Sequence, residues 1–199
     1  MNQQQVWDNI AEEWSEFKTT PAEHVIDFLK DKEGNILDLG SGAGRHLQKI
    51  KNGKMYLVDF SEKMIELAKK RAKEKKIEAE FAVAELGNLP FEDNFFDSAI
   101  AIAVFHCIKG KKNMEKAAKE LFRVMKQGAL AEICVWNKDS KRFIKSEKEK
   151  EIGWRDRGKR YYYLFGEKEI HDLFKDAGFN IVSREEPGRN IIFVVEKLV

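Results

Sequence analysis

Four residues in the stretch ILDLGSGAGRHL, residues 36–47, carry the first chemistry of this chain: Asp38, Gly40, Gly42 and Gly44. An acid followed by glycine at every second position, directly after an apolar run, leaves bare backbone where a strand ends. Such a turn lets a ligand approach main-chain N–H groups. The spacing narrows the ligand. A dinucleotide-binding turn reads G-x-G-x-x-G/A, but its third small position is Arg45 here, and the Gly-Lys-Ser/Thr of a phosphate-cradling loop is absent. The turn therefore suits a ligand that meets backbone without being polyanionic.

A second acid, Asp59, ends the next apolar run, where a carboxylate can accept hydrogen bonds from both hydroxyls of a ribose. S-adenosylmethionine, with its sulfonium, amino-acid end and ribose, fits both features. Phe60, Glu85, Leu86 and Ala103 stand at the ends of the following strands and complete the expected cofactor set. Transfer of its methyl group is an in-line displacement, so the protein has to hold a nucleophile near the methyl carbon and exclude water. The residues after the fourth strand, Ala103-Val104-Phe105-His106, lack the Asn/Asp-Pro-Pro-aromatic turn used on exocyclic amines. Cys107 has no neighbouring proline and reads as packing. An oxygen acceptor remains: a hydroxyl deprotonated by a base such as His106, or a carboxylate already ionised. His106 can equally orient its loop through a backbone hydrogen bond. Lys18, Arg45, His46, Arg160, Arg189 and Asn190 are candidates to anchor an anion.

Positioning these residues requires strands that alternate with helices. Ile36–Leu39, Met55–Asp59, Glu78–Val83, Asp97–Ala103 and Ala129–Trp136 read as strands. Thr20-Pro21-Ala22-Glu23 predicts an N-capped helix before the first strand, and a basic, helix-like run follows Gly44. Ser61 caps a helix with Met64, Ile65, Ala68 and Ala72 on one face. Met114, Ala117, Ala118, Leu121, Phe122 and Met125 form the clearest helical stripe, stopped by Gly128. A late helix over Ile170–Ala177 precedes two runs around Glu185–Gly188 that read as a hairpin. The expected fold is α/β: a doubly wound, mostly parallel seven-stranded sheet closed by a C-terminal antiparallel hairpin, with ligands at the carboxyl ends of the strands.

At 199 residues the chain is expected to form one domain, 1–199, with a basic insertion at 137–166. Residues 138–160 hold ten Lys/Arg against five Asp/Glu, either an RNA-binding surface or a solvated loop. The net charge of +2 does not by itself announce nucleic acid. The opening MNQQQVWDNI has no signal-peptide layout, no apolar run approaches a membrane span, and the two cysteines and four histidines have no metal-ligand spacing, so a cytoplasmic protein without a metal site is expected.

The first 136 residues, with the glycine turn, Asp59, Ala84-Glu85-Leu86, Asn88-Leu89-Pro90-Phe91 and Phe96-Asp97, resemble the class I S-adenosylmethionine-dependent methyltransferases, where the equivalent of Glu85 lies by the adenine amine. The segments VWDNIA, IAVFHCI, VWNKDSKRF, RYYYLF and GRNIIFVVEK are similar to the tRNA wobble-uridine carboxymethyl methyltransferases, nearly end to end. That resemblance implies esterification of a carboxymethyl group on uridine 34 of tRNA, which needs no strong base. It implies that His106, Tyr162 and Asn190 line the substrate pocket with Arg160 and Arg189 near the RNA, and that a small zinc-binding activator subunit extends the sheet. The chain departs from the family where Phe17-Lys18 and Pro21-Ala22-Glu23 replace a Thr-Arg and a Trp-Pro pair, and where Ile191 replaces a tryptophan. The asparagine-leucine-proline-phenylalanine segment is shared with quinone-type small-molecule methyltransferases, for which Phe17, Phe105, Trp136 and Tyr162 would supply an apolar pocket. A non-catalytic cofactor-binding subunit is the third class.

Overall fold

Strands apolar on both faces have to lie inside a sheet covered on both sides, and the burial of this chain follows that rule. The computed structural model describes residues 1–198. Five parallel strands run through it: β1 (Glu33–Leu39), β2 (Lys51–Asp59), β3 (Ala79–Val83), β4 (Phe96–Ile102) and β5 (Met125–Trp136). A two-stranded sheet of β6 (Glu149–Gly153) and β7 (Lys159–Tyr163) interrupts the chain, after which β8 (Phe179–Arg184) and β9 (Asn190–Lys197) return. The seven-stranded order is β3-β2-β1-β4-β5-β9-β8, with β9 antiparallel to both neighbours, as the hairpin expectation requires.

The helices are α1 (Gln3–Phe17), α2 (Glu23–Leu29), α3 (Glu62–Lys75), α4 (Lys111–Val124) and α5 (Glu167–Asp176), with one 3-10 turn at Phe105–Cys107. Alternation along β1 sends Leu37 and Leu39 into the core beneath α4 and α5, while Ile36 joins Val25, Leu47, Leu57 and Ala68 on the other face. The strand order reverses between β1 and β4, so a crevice opens at their carboxyl ends.

Several local expectations change. The second helix begins after Ala22, whose carbonyl receives the N–H groups of both Val25 and Ile26, and Thr20 does not cap it: the Thr20 carbonyl instead accepts Arg45 Nε at 2.5 Å. Residues 42–46 form turns and not a helix, because the glycines there hold positive φ. The stripe through Met125 ends one residue earlier: α4 stops at Val124, Met125 opens β5, and Gly128 sits inside that strand at φ +73°. The 137–166 segment is not a bare loop, since β6 and β7 pair through it. The first helix, α1, carries an Asn2/Gln5 capping box and packs on α3. Among the described residues no helix is long and apolar enough to cross a membrane.

Candidate active site

The carboxyl ends of β1, β2, β4 and β5 surround a cavity of about 580 Å³ roofed by α1. Gly40, Gly42, Asp59, Phe60, Glu85, Leu86 and Ala103 line it together with His106, Tyr162 and Arg189. Asp59 is 8% exposed, and its Oδ2 accepts the Gly42 N–H at 2.9 Å while Oδ1 accepts the Ser61 N–H at 3.0 Å. The carboxylate thus ties the glycine turn to the start of α3. Burial outweighs these donors and lifts its pKa to about 6. At Gly42, φ is +52°, and a Cβ would have only Met64 Sδ within 4 Å, at 3.9 Å. That space is the cradle a cofactor needs. Ala103 also has positive φ, +61°, where the chain leaves β4 and turns along the cavity.

Two predicted residues stand behind the wall. A Cβ on Gly44 would meet Leu57 and Ala68 at 3.2 and 3.3 Å, so this glycine serves the packing of α3 on β2. Asp38 is fully enclosed with Oδ2 lacking a hydrogen-bond partner, and burial, with Asp59 beside it, pushes its pKa up to about 8. A carboxyl held above its unfolded value binds its proton more tightly in the folded chain. Its folded form is unpenalised below the unfolded pKa near 3.8 and loses stability as pH rises through about 8. Melting temperatures of the ligand-free protein are therefore expected to fall across that window, and Asp38→Asn is expected to flatten the fall. A variant with the wild-type slope would remove Asp38 as its cause.

On the acceptor side, His106 is 1% exposed and its Nδ1 accepts the Trp136 N–H at 3.0 Å. Its neutral ring therefore carries the proton on Nε2, a donor, and burial depresses its pKa to about 3. This corrects the general-base expectation: the backbone bond decides the tautomer. Trp136 stacks on Tyr162 with ring centroids 4.4 Å apart and on Phe143 at 5.1 Å. Burial keeps the Tyr162 phenol protonated and pushes the Cys107 thiol up to about 12.

Asn190 opens β9 opposite Trp136, and its carbonyl accepts the Gly188 N–H; it lies outside the cavity lining. Arg160, expected near RNA, is 5% exposed and enclosed by Trp7, Trp14, Trp154 and Tyr162, with its guanidinium donating to Tyr162 Oη at 2.8 Å. Arg155 and Arg157 are bound to Glu13 of α1, each at 3.0 Å, so the insertion is anchored to the first helix. Of the four aromatic residues considered for an apolar pocket, Trp136 and Tyr162 line the cavity, Phe17 is 65% exposed and Phe105 is in the core. Trp7, Trp14 and Arg71 line the cavity without having been singled out for it. The α1 signal was present in Asn2 and Gln5 and in the seven-residue step between Trp7 and Trp14, but nothing local shows that the helix folds back over distant strand ends.

A family described as a methyltransferase domain matches residues 30–178. The probable tRNA methyltransferase 9B of Mus musculus is 31% identical over 146 residues, 71% of this chain and 31% of that protein, so the chain spans about a third of its length. The tRNA (carboxymethyluridine(34)-5-O)-methyltransferase of Schizosaccharomyces pombe is 26% identical over 225 residues, covering 97% of this chain and 95% of that protein. Among solved structures, a SAM-dependent methyltransferase from Methanosarcina mazei superposes with a TM-score of 0.73 at 23% identity, over 90% of this chain and 99% of that one. A chain from the complex between the Haloferax volcanii Trm112 methyltransferase activator and a methyltransferase reaches 0.73 at 16% identity, over 96% and 94%. With the glycine turn, Asp59 and the reversal of strand order converging on one cavity, the chain belongs to the methyltransferase domain family, the S-adenosylmethionine-dependent methyltransferases.

Proposed function

We propose that this enzyme methylates the carboxylate oxygen of a modified wobble uridine in tRNA. The observation that carries the reading is the pairing of a cationic wall with His106, Cys107, Tyr162 and Asp59 in states that make them poor bases. Lys18, Arg45 and Arg189 share the cavity, and Lys18 is held below its ordinary pKa by burial and by repulsion from both arginines. Such a wall attracts an anion. Within reach of it, His106 is a neutral donor, Cys107 and Tyr162 keep their protons, and both oxygens of Asp59 are held by backbone N–H groups. A hydroxyl acceptor would find no ready base among His106, Cys107, Tyr162 and Asp59, whereas a carboxylate arrives ionised.

When bound, S-adenosylmethionine supplies an electrophilic methyl carbon. The chain's own work is to hold and to dry. Gly42 and Asp59 fix the cofactor end, the cations orient the carboxylate, and His106 Nε2 and the Tyr162 hydroxyl offer hydrogen bonds to the nucleoside. The stacked Trp136 and Tyr162 rings form an apolar flank, and α1 with the 137–166 insertion covers the cavity from water. The names of the mouse and fission yeast relatives support the tRNA substrate. The activator complex among the structural neighbours supports an activator partner, and its addition to a sheet edge is what the family resemblance implies.

Incubation with labelled S-adenosylmethionine and total tRNA, with and without a co-expressed activator, is expected to place label in a nucleoside that mild alkali releases, because a methyl ester is saponified and N-, C- or ether-linked methyl groups are not. Alkali-stable label in RNA would reject the carboxylate; label confined to a lipid extract would move the enzyme to the quinone-type class.

A further inference from the structure

A shallow groove runs along the outer face of α4 and joins the cavity: Gly87 and Lys116 belong to both. The stem of Lys116 lies so close to Gly87 that a Cβ there would sit 3.0 Å from its Cδ, which places this side chain's stem at the junction. Beyond it, exposed Lys112 and Lys119 complete an i, i+4, i+7 row. The other charges of the groove are held in ion pairs. Glu115 pairs with Lys111 at 3.7 Å; Glu120 accepts the Leu89 N–H and pairs with Arg123, which also holds Asp93. Lys112, Lys116 and Lys119 have no such partner among the described residues, so the groove presents three free cations rising over about 10 Å of helix.

In the basic insertion some of the charge is already engaged: Arg155 and Arg157 pair with Glu13 and Lys148 with Glu169 at the surface, and Arg160 is enclosed by aromatic rings. Lys141, Arg142 and Lys145 are exposed, but none of them lines the cavity, whereas the α4 groove shares Gly87 and Lys116 with it.

We propose that the α4 groove is the track for the RNA backbone leading to the methylation cavity, with Lys112, Lys116 and Lys119 taking successive phosphates. The proposal rests on the tRNA reading for its ligand. Phosphate neutralisation releases counterions, so the slope of log K against log salt counts contacts, at about 0.7 to 0.9 per phosphate. Binding of fluorescein-labelled total tRNA by the full chain is compared with that of the Lys112→Gln/Lys119→Gln variant, which leaves every cavity residue in place. The variant is expected to bind roughly tenfold or more weakly near 0.1 M salt and to lose about 1.4 to 1.8 from the slope, with affinity for S-adenosylmethionine and melting temperature unchanged. Arg155→Gln is expected to change the slope by less than either lysine.

If the wild-type chain methylates tRNA but the variant keeps its slope, the groove is overturned and the tRNA reading stands. If tRNA binds with a lysine-dependent slope but takes no methyl group, the groove stands and the tRNA reading falls. Lysine-dependent binding to phosphatidylserine vesicles tighter than to tRNA overturns the RNA assignment, and binding to neither overturns the groove.

Discussion

Replacing Gly42 by valine is expected to lower affinity for S-adenosylmethionine at least a hundredfold, about 2.7 kcal/mol, while the chain stays folded. The two halves of that expectation have separate causes. The added Cβ points into open cavity, with its first protein neighbour at 3.9 Å, so the branched side chain displaces ligand and not protein. The left-handed backbone at φ +52° adds about 1 to 2 kcal/mol of strain for a residue with a Cβ. That is a modest loss for a chain of this size. The same change at Gly40 is the control: its Cβ would fall 2.2 Å from Val104 Cγ2, so Gly40→Val is expected to damage the fold itself. Calorimetric titration with S-adenosylmethionine and a thermal melt read the two effects. Undiminished affinity in the Gly42 variant would show that the cofactor does not lie over this turn.

Truncating Arg160 to alanine is expected to cost about 3 kcal/mol, from a desolvated cation–π cluster at about 2 kcal/mol and a buried hydrogen bond at about 1 kcal/mol. The guanidinium carbon lies 4.9 Å from the Trp154 ring, 5.1 Å from Trp14, 5.4 Å from Tyr162 and 5.8 Å from Trp7, so one side chain joins α1 to the insertion. A fall in melting temperature of roughly 6 to 12 °C follows for a chain near 200 residues. Arg160→Lys should recover only part of it, since an ammonium cannot stack on several rings or keep the fork that reaches Tyr162. Faster amide exchange along α1 should accompany the loss, because Trp7 and Trp14 of that helix are half of the aromatic enclosure. An alanine variant that melts with the wild type would reduce Arg160 to a tolerated buried charge.

These two positions differ in how far the sequence revealed them. Gly42 was legible because its chemistry is local: an acid, three alternating glycines and a preceding apolar run define the turn whatever the rest of the chain does. The same holds for Asp59 at the end of its strand, for the Ser61 cap, whose hydroxyl accepts the Met64 N–H at 3.1 Å, and for the order of strands and helices, which hydrophobic periodicity encodes residue by residue.

Arg160 was legible only as a charge. Its neighbours come from residues 7, 14, 154 and 162, and no pattern within a few residues shows that they meet, so the guanidinium read as a surface group near RNA. His106 shows the same divide on a smaller scale: its place after the fourth strand was readable, but its role turned on a hydrogen bond to Trp136, 30 residues away, which removed it as a base. Asn190 was placed in the site by resemblance, and the antiparallel pairing of β9 with β5 sets it beside the cavity, outside its lining. Sequence alone determined the strand-end turn, the acids that follow it and the alternating fold, because each is fixed by backbone conformation or by a period of two or 3.6 residues. Tertiary structure decided which charges are engaged and which are free, since that depends on partners brought together across more than a hundred residues of chain: it ties Arg155 and Arg157 to Glu13 and leaves the lysines of α4 open where their groove meets the cavity.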